Sequence, residues 1–360
     1  MACSIEVLCS WESTASLREE WDRLAKDKGI WSSFTNYHWF SCWYDAFCPE
    51  GAARIAVIRD QGKVVGIIPG LHVRKTIGPF ALPCFAYAAN GLTPNTVLML
   101  EQSIMNEEML LRQVVDAMPE RVDVLDIPVV EAGGDGWRYL NRQKQWFALF
   151  EENREVSFDI DMPDGLQAYL DGRSSKFRKK ARYRYSKISK DFDVKMEIVP
   201  LGEAGVLERL ESLSAKTWQE EGGSALFSEK YARFSNRFLR EPCRQNFVAF
   251  LSLNGMDVAF NLFQKKEGEF ISYKIGFDGS YGAWSPGEVL NHMMYEVLCN
   301  DGVRRFMLLG GVTGSKQLWA TNTGEMVNYW IFSNKGLKAR FVYQALLARR
   351  KIKALYEARS

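Results

Sequence analysis

The chain has 360 residues, 47% of them apolar and 25% charged, a composition that builds a folded core and excludes disordered and collagen-like classes. Its 46 basic and 44 acidic residues leave a net charge of +2, so no global field draws it to nucleic acid or an anionic membrane, and any such pull is local. Seven cysteines without a C-x-x-C read as free thiols of a reducing compartment, and three scattered histidines (38, 72 and 292) give no zinc-ligand spacing, so no metal is expected.

Residues 1–6 carry neither a basic segment nor an apolar leader core, which predicts a cytoplasmic protein. A helix is predicted over 11–27, followed by an aromatic-dense stretch from Trp31 to Phe47. Such rings stack on sugars or bases in some proteins, but with no polar constellation around them they read as core. Residues 54–59 and 64–68, joined through Asp60-Gln61-Gly62-Lys63, read as a hairpin. The uncharged run 76–100 is interrupted by Pro79, Pro83 and Pro94, so it reads as buried turns and short strands rather than a membrane span. A helix over 107–118 and a strand over 122–127 follow.

The same order returns later. Residues 247–253 and 258–263 flank Asn254-Gly255, then come a strand over 269–277, a helix over 286–299 and a strand over 305–309. A shift of 193 residues lays Gly62 on Gly255, Ile55 on Val248 and Val57 on Phe250, which suggests duplication. The pattern predicts mixed α/β sheets in two tandem units with helices on the sheet faces. Its predicted boundaries are 1–150, a linking region 151–240, a second unit 241–334 and a C-terminal helix 335–360.

Nine basic residues and no acid occupy 173–190, with Phe177, Ala181, Tyr185 and Ile188 as the packing stripe. A solvated face normally mixes signs, so this one calls for a polyanionic or phosphorylated partner. The C-terminal segment is also basic, and Leu337, Phe341, Ala345 and Ala348 read as the stripe that docks it on the fold.

Ser285, Pro286 and Glu288 read as an N-cap, a first helical residue and a capping box, and Gly287 would admit a phosphate to the helix N-terminus. A well-capped helix with no ligand uses the same residues. Lys316 follows the glycine turn 310–314; beyond such a turn it is either a surface residue or a phosphate partner. Tyr273 and Tyr281 are candidate acids and Asp278 a candidate base, against structural readings as strand packing and turn formation. His292 lies off its helix's apolar stripe and is expected to be exposed. The first unit has Glu101, Glu107 and Glu108 where its helix opens, which disfavours phosphate there.

Phe277-Asp278, Ser285-Pro286-Gly287-Glu288-Val289-Leu290 and Gly314-Ser315-Lys316, in that order, resemble the GNAT-superfamily acetyltransferases associated with cellulose and exopolysaccharide biosynthesis (CelD/BcsL-like). Residues 176–182 are similar to that group's Arg-rich helix, and the resemblance covers nearly the whole chain. It implies an acyl-CoA-dependent N-acyltransferase of an amino-sugar, a sugar nucleotide or a small amine, in polysaccharide or secondary metabolism. It implies donor contacts from Ser272, Lys274 and Gly276 on a central strand, from Ser285, Pro286 and Gly287, and from Arg178 and Arg182. The related Fem-type peptidyltransferases use aminoacyl-tRNA, which leaves tRNA as the alternative donor. A non-catalytic scaffold of a polysaccharide-synthesis complex, docked through its basic helices on a partner or a membrane surface, is the third reading.

Overall fold

Two hairpins, each closed by a tight turn that only special residues allow, set the frame of the chain. The computed structural model describes residues 3–357 apart from 108, 146, 218–222, 224 and 242–244, so Cys243 lies outside the described residues. Strand β1 is Ser4–Leu8, β2 Ala53–Asp60, β3 Lys63–Ile77, β4 Phe80–Tyr87, β5 Met99–Leu100 and β6 Val124–Glu131. They are followed by β7 Phe147–Asp161, β8 Val194–Pro200, β9 Asn246–Leu253, β10 Met256–Lys266, β11 Glu269–Phe277, β12 Arg305–Gly310 and β13 Asn322–Ser333. At the β2–β3 turn Gln61 and Gly62 have φ of 49° and 86°; at the β9–β10 turn Asn254 and Gly255 have 51° and 82°. Both residues of each turn are left-handed, the conformation that matches the twist of a two-residue hairpin. Shifted by 193 residues, β2 falls on β9, and the start of β3 falls on the start of β10.

The chain divides into two compact units, Met1–Glu155 with Glu325–Ser360, and Val156–Gly324. The first unit orders its strands β1-β2-β3-β4-β6-β13, with β5 on β3. All neighbours are antiparallel except β4 and β6, which run parallel. The second unit runs from the end of β7 through β12-β11-β10-β9-β8, and only β11 and β12 are parallel. This is the mixed α/β architecture expected from the sequence. Residues 151–240, read as a linker, are built into the units: the basic helix Ser175–Asp191 and β8 belong to the second. The C-terminal helix Leu337–Glu357 belongs to the first, because β13 returns the chain to pair with β6.

The aromatic-dense segment is core in the first unit. Trp21 and Trp39 are fully buried, the Trp21 indole donates to the Thr35 carbonyl, and Trp11 stacks on Tyr44 with centroids 4.8 Å apart. Tyr44 donates to the carbonyl of Gly70. A Cβ on Gly70 would meet the Phe85 ring at 2.3 Å and the Ala86 carbonyl at 2.8 Å. Gly70→Ala is therefore expected to destabilise the protein by about 1–3 kcal/mol through overpacking, measured as a lower denaturant midpoint at unchanged m-value.

The C-terminal helix packs through the face opposite to the one expected. Ala339 and Val342 are buried, and Tyr343, Leu346 and Leu347 pack with them against Ile77, Leu82 and Phe332. Leu337 and Phe341 face out instead. The packed face sets Tyr343, Leu346 and Leu347 around the buried Ala339 and Val342, more apolar area than the stripe of Leu337, Phe341, Ala345 and Ala348 offers.

In the second unit the helix Pro286–Asn300 covers one sheet face, with helices Gly165–Asp171 and Ser175–Asp191 against it, and Val206–Ser214 packs on β10 and β11. Adjacent strand residues point to opposite faces. A Cβ on Gly276 would meet Thr217 at 2.7 Å, while Phe277 lies 3.6 Å from the Cβ position of Gly287, so these two helices cover opposite faces.

Candidate functional site

The parallel pair at the centre of the second unit does not stay together. Glu269, Phe270 and Ile271 of β11 pair with Arg305, Phe306 and Met307 of β12, and the ladder stops there. Beyond it, β11 carries an extra residue, Tyr273, in its pairing with β10. On the other side β12 slips against β7 between Met307 and Gly310, with Leu309 at φ 61°. Bulges bend and twist strands, and one on each strand past the last parallel pair opens a wedge. The edge of β11 over 272–277 is left without a β12 partner.

The first unit parts its strands in the same way and lays an inserted segment along the parting, which leaves a cavity of about 750 Å³ lined by Thr96, Leu98 and Val130. Its parallel ladder also has three pairs, from Cys84 to Ala86 on Val124 to Asp126, and Val129 of β6 then takes φ 54°. Between β4 and its next helix the chain inserts segment 88–109, and the Thr96 amide donates to the Val129 carbonyl at 2.7 Å. In the second unit the corresponding stretch, 278–285, is one short turn.

That turn leads into the helix Pro286–Asn300. Ser285 is left-handed, with φ 54° and ψ 51°, and its side chain makes no cap bond, which corrects the capping-box expectation. Its carbonyl instead accepts the amides of Glu288 and Val289, at 3.1 and 3.2 Å. Glu288 pairs with Arg184 of the basic helix rather than folding back. That helix is docked alongside: Lys187 Nζ donates to the Ala283 carbonyl at 2.7 Å, and Trp284 Nε1 donates to Asp191 at 2.7 Å. The one acid in the first turn is thus neutralised, so the positive end of the helix keeps its attraction for an anion. Arg184→Met is expected to leave Glu288 half-buried and unpaired, lowering stability by roughly 1–3 kcal/mol. Pairing Arg184→Met with Glu288→Gln in a double-mutant cycle measures that coupling. Pro286 is buried at the first helical position, and Gly287 has room for a Cβ, so its own packing does not demand glycine.

Two lysines of this unit are desolvated, and one feels the charge of the other. Lys316 sits in the short helix Gly314–Trp319 after a turn with Gly311 at φ 88°, and its Nζ donates to the Gly310 carbonyl at 2.5 Å. Burial, and then the charge of Lys274, lower its pKa to about 8. Burial lowers Lys274 of β11 as well. Taking an ammonium group out of water costs free energy, and an anion beside Lys316 would return it.

The remaining predicted residues have other neighbours. Ser272 donates to Asn261 at 3.1 Å, and Asn261 to Asn291 at 3.3 Å, a polar chain linking β11, β10 and the helix. The sequence reading passed over both asparagines, although each interrupts an apolar run. Gly276 is required by close packing against Phe260 and Thr217. The Tyr273 ring lies with Phe238, Leu239 and Leu262, and burial raises its pKa. Tyr281 packs against Phe192 and Trp284, while Asp278 accepts from the Ser280 amide and hydroxyl as a turn former. The structure thus gives Tyr273, Tyr281 and Lys316 separate surroundings.

Arg178 donates to the carbonyls of Asp171 and Arg173 at 3.0 and 2.6 Å, closing the preceding helix. Arg182 is exposed, as are Lys176, Lys179, Lys180 and Lys190, and none of the five forms an ion pair among the described residues. Tyr185, expected in the packing stripe, is 42% exposed, and Arg184 turns inward instead. His292 is half-buried rather than exposed, its Nδ1 without a hydrogen-bond partner, and its ring lies 6.0 Å from Trp319. Burial lowers its pKa, which keeps the imidazole neutral at pH 7.

Comparison with known proteins bears on the fold of the chain and on the kind of domain its second unit contains. Residues 175–317, from the first residue of the basic helix to just past Lys316, match the model of an acetyltransferase (GNAT) domain. No curated protein matches the chain. Among solved structures, FemX is similar at TM-score 0.57 and 10% identity, over 94% of this chain and 99% of that one. The C-terminal domain of a protein assigned as a lysylphosphatidylglycerol synthetase from Agrobacterium fabrum is similar at 0.55 and 13%, over 92% and 96%. A protein of unknown function from Bacteroides thetaiotaomicron is similar at 0.52 and 13%, over 92% and 100%. At these identities the likeness establishes the fold, which is shared over both units.

Proposed function

We propose that the chain is an acyl-CoA-dependent N-acyltransferase that takes acetyl-CoA or another acyl-CoA in the wedge of its second unit. The observation that carries this is the parting of β11 from β12 past Ile271, beside the start of the Pro286 helix and the buried Lys316. Beyond Ile271 the side of β11 that faces away from β10 offers backbone to an extended acyl-pantetheine chain and to the thioester oxygen. The helix start at Ser285, Pro286 and Gly287, with Lys316 and Lys274, offers positive potential to the phosphates. In the reaction a neutral amine attacks the thioester carbon, the oxyanion collapses, and the C–S bond breaks as the thiolate takes up a proton. The acceptor is an amino-sugar, a sugar nucleotide or a small amine of polysaccharide or secondary metabolism, as the CelD/BcsL-like resemblance implies.

One observation favours a second reading, a Fem-type transferase fed by aminoacyl-tRNA. Lys176, Lys179, Lys180, Arg182 and Lys190 form an exposed basic face, without ion pairs among the described residues, suited to a nucleic-acid backbone. Calorimetric titration of nucleic-acid-free protein with acetyl-CoA and a longer acyl-CoA separates the two. Binding that Gly287→Glu weakens at least about tenfold, by setting a carboxylate against the phosphates, supports the first. No acyl-CoA binding, together with salt-sensitive binding of aminoacyl-tRNA, sinks it in favour of the second. Binding of neither leaves the scaffold.

A further inference from the structure

The helix Leu337–Glu357 carries two apolar stripes; the fold is built on one, and on the other Phe341 meets the Phe80 ring edge-on at 5.6 Å. Ala339, Val342, Leu346 and Leu347 face the core. On the far side Leu337, Phe341, Ala345, Ala348, Ile352 and Leu355 recur at the spacing of one helical face. Leu337 is 84% exposed, Phe341 60%, Ile352 54% and Leu355 62%. This stripe runs the length of a 21-residue helix, about 30 Å. Residues 351–356 are exposed on every side.

The borders of the stripe are basic. At 100° per residue, Lys338 and Arg349 flank it on one side, Arg340 and Lys351 on the other. No acid occurs between 334 and 356. We propose that this helix lies in the plane of an anionic lipid surface, its Leu337–Leu355 stripe among the acyl chains and its basic borders at the headgroups. An apolar stripe between two cationic rows is the pattern of interfacial helices, and both features are spent on the same partner. Pairing with a second copy along this stripe would set cationic borders against each other, and a nucleic acid would leave the apolar residues in water. No described helix is long and apolar enough to cross a membrane, so the attachment lies on the bilayer.

The test is co-sedimentation of the full chain with vesicles of phosphatidylcholine alone, or with about one third phosphatidylglycerol. Binding is expected to the anionic vesicles, at least about tenfold tighter than to the neutral ones, and to weaken as salt rises. The triple variant Leu337→Glu, Ile352→Glu, Leu355→Glu is expected to abolish binding, and Arg349→Glu with Lys351→Glu to remove the preference for anionic lipid. Because these side chains are exposed, both variants should keep the parent's melting temperature, which separates lost binding from lost folding. Equal binding to both vesicles, binding to neither, or binding that survives the triple variant overturns the proposal. So does a concentration-dependent dimer that the triple variant dissolves, which would make a second copy the occupant.

Discussion

Lys316→Met is expected to weaken acyl-CoA binding by about 10–100-fold, the worth of a charge-assisted contact of about 1.5–3 kcal/mol, while making the free protein more stable. The two effects share one cause. Lys316 is held at about 8 by burial and by Lys274, against 10.5 when free. Below pH 8 it is charged in both folded and unfolded chains, so the folded protein bears the whole desolvation penalty. Between pH 8 and 10.5 the folded protein has released the proton and the unfolded chain has not, so the penalty shrinks as pH rises, and above 10.5 it is gone. The methionine variant should therefore melt higher at pH 7, by an amount on the order of a few °C, and lose that advantage at high pH.

Ligand binding reverses the sign. A phosphate favours the charged lysine, so donor affinity should be greatest below pH 8 and fall as pH climbs past it. Near that pH, binding should take up a proton, read as an observed heat that changes with the ionisation enthalpy of the buffer. An affinity flat across this range, with kcat/KM rising through pH 8 instead, would assign Lys316 the work of a base and remove its role in holding the donor.

What the sequence revealed of this architecture was local. Asn254-Gly255 and Gln61-Gly62 announce their hairpins because only residues tolerant of positive φ close such turns, and both do so in the structure. Strand β11 and the start of the Pro286 helix were legible for similar reasons: alternation in one, a first-turn proline in the other. What escaped depends on neighbours distant in sequence. The parting of β11 from β12 follows from bulges at Tyr273 and Leu309, whose residue types do not announce them. The Ser285 hydroxyl makes no cap bond because its backbone is left-handed and its amide is taken by the Gly282 carbonyl, and Glu288 turns to Arg184. Periodicity found a stripe on the C-terminal helix without saying which side packs, since Leu337 and Ala339 each begin an acceptable one.

Trp319→Ala is expected to cost about 3–5 kcal/mol and to abolish donor binding with it. Trp319 is the buried residue of the short helix that carries Lys316 one turn earlier. Its ring stacks on Tyr169 at 5.8 Å with an interplanar angle of 6°, and meets Phe177 and Tyr295 edge-on at 5.0 and 5.3 Å. Tyr169 also donates to the Trp319 carbonyl, and Arg173 holds the carbonyls of Leu318 and Ala320. The aromatic cluster thus ties the Lys316 helix to the basic helix and to the Pro286 helix together. Trp319→Phe tests which part of the side chain matters. The indole N–H is buried without an acceptor, so its removal returns about 1–3 kcal/mol against the loss of one ring's packing. The phenylalanine variant should therefore stay near parental stability and keep its donor, while the alanine variant loses both in denaturant titration and calorimetry. An alanine variant of parental stability that still binds acyl-CoA would show that Lys316 is positioned by the glycine turn alone.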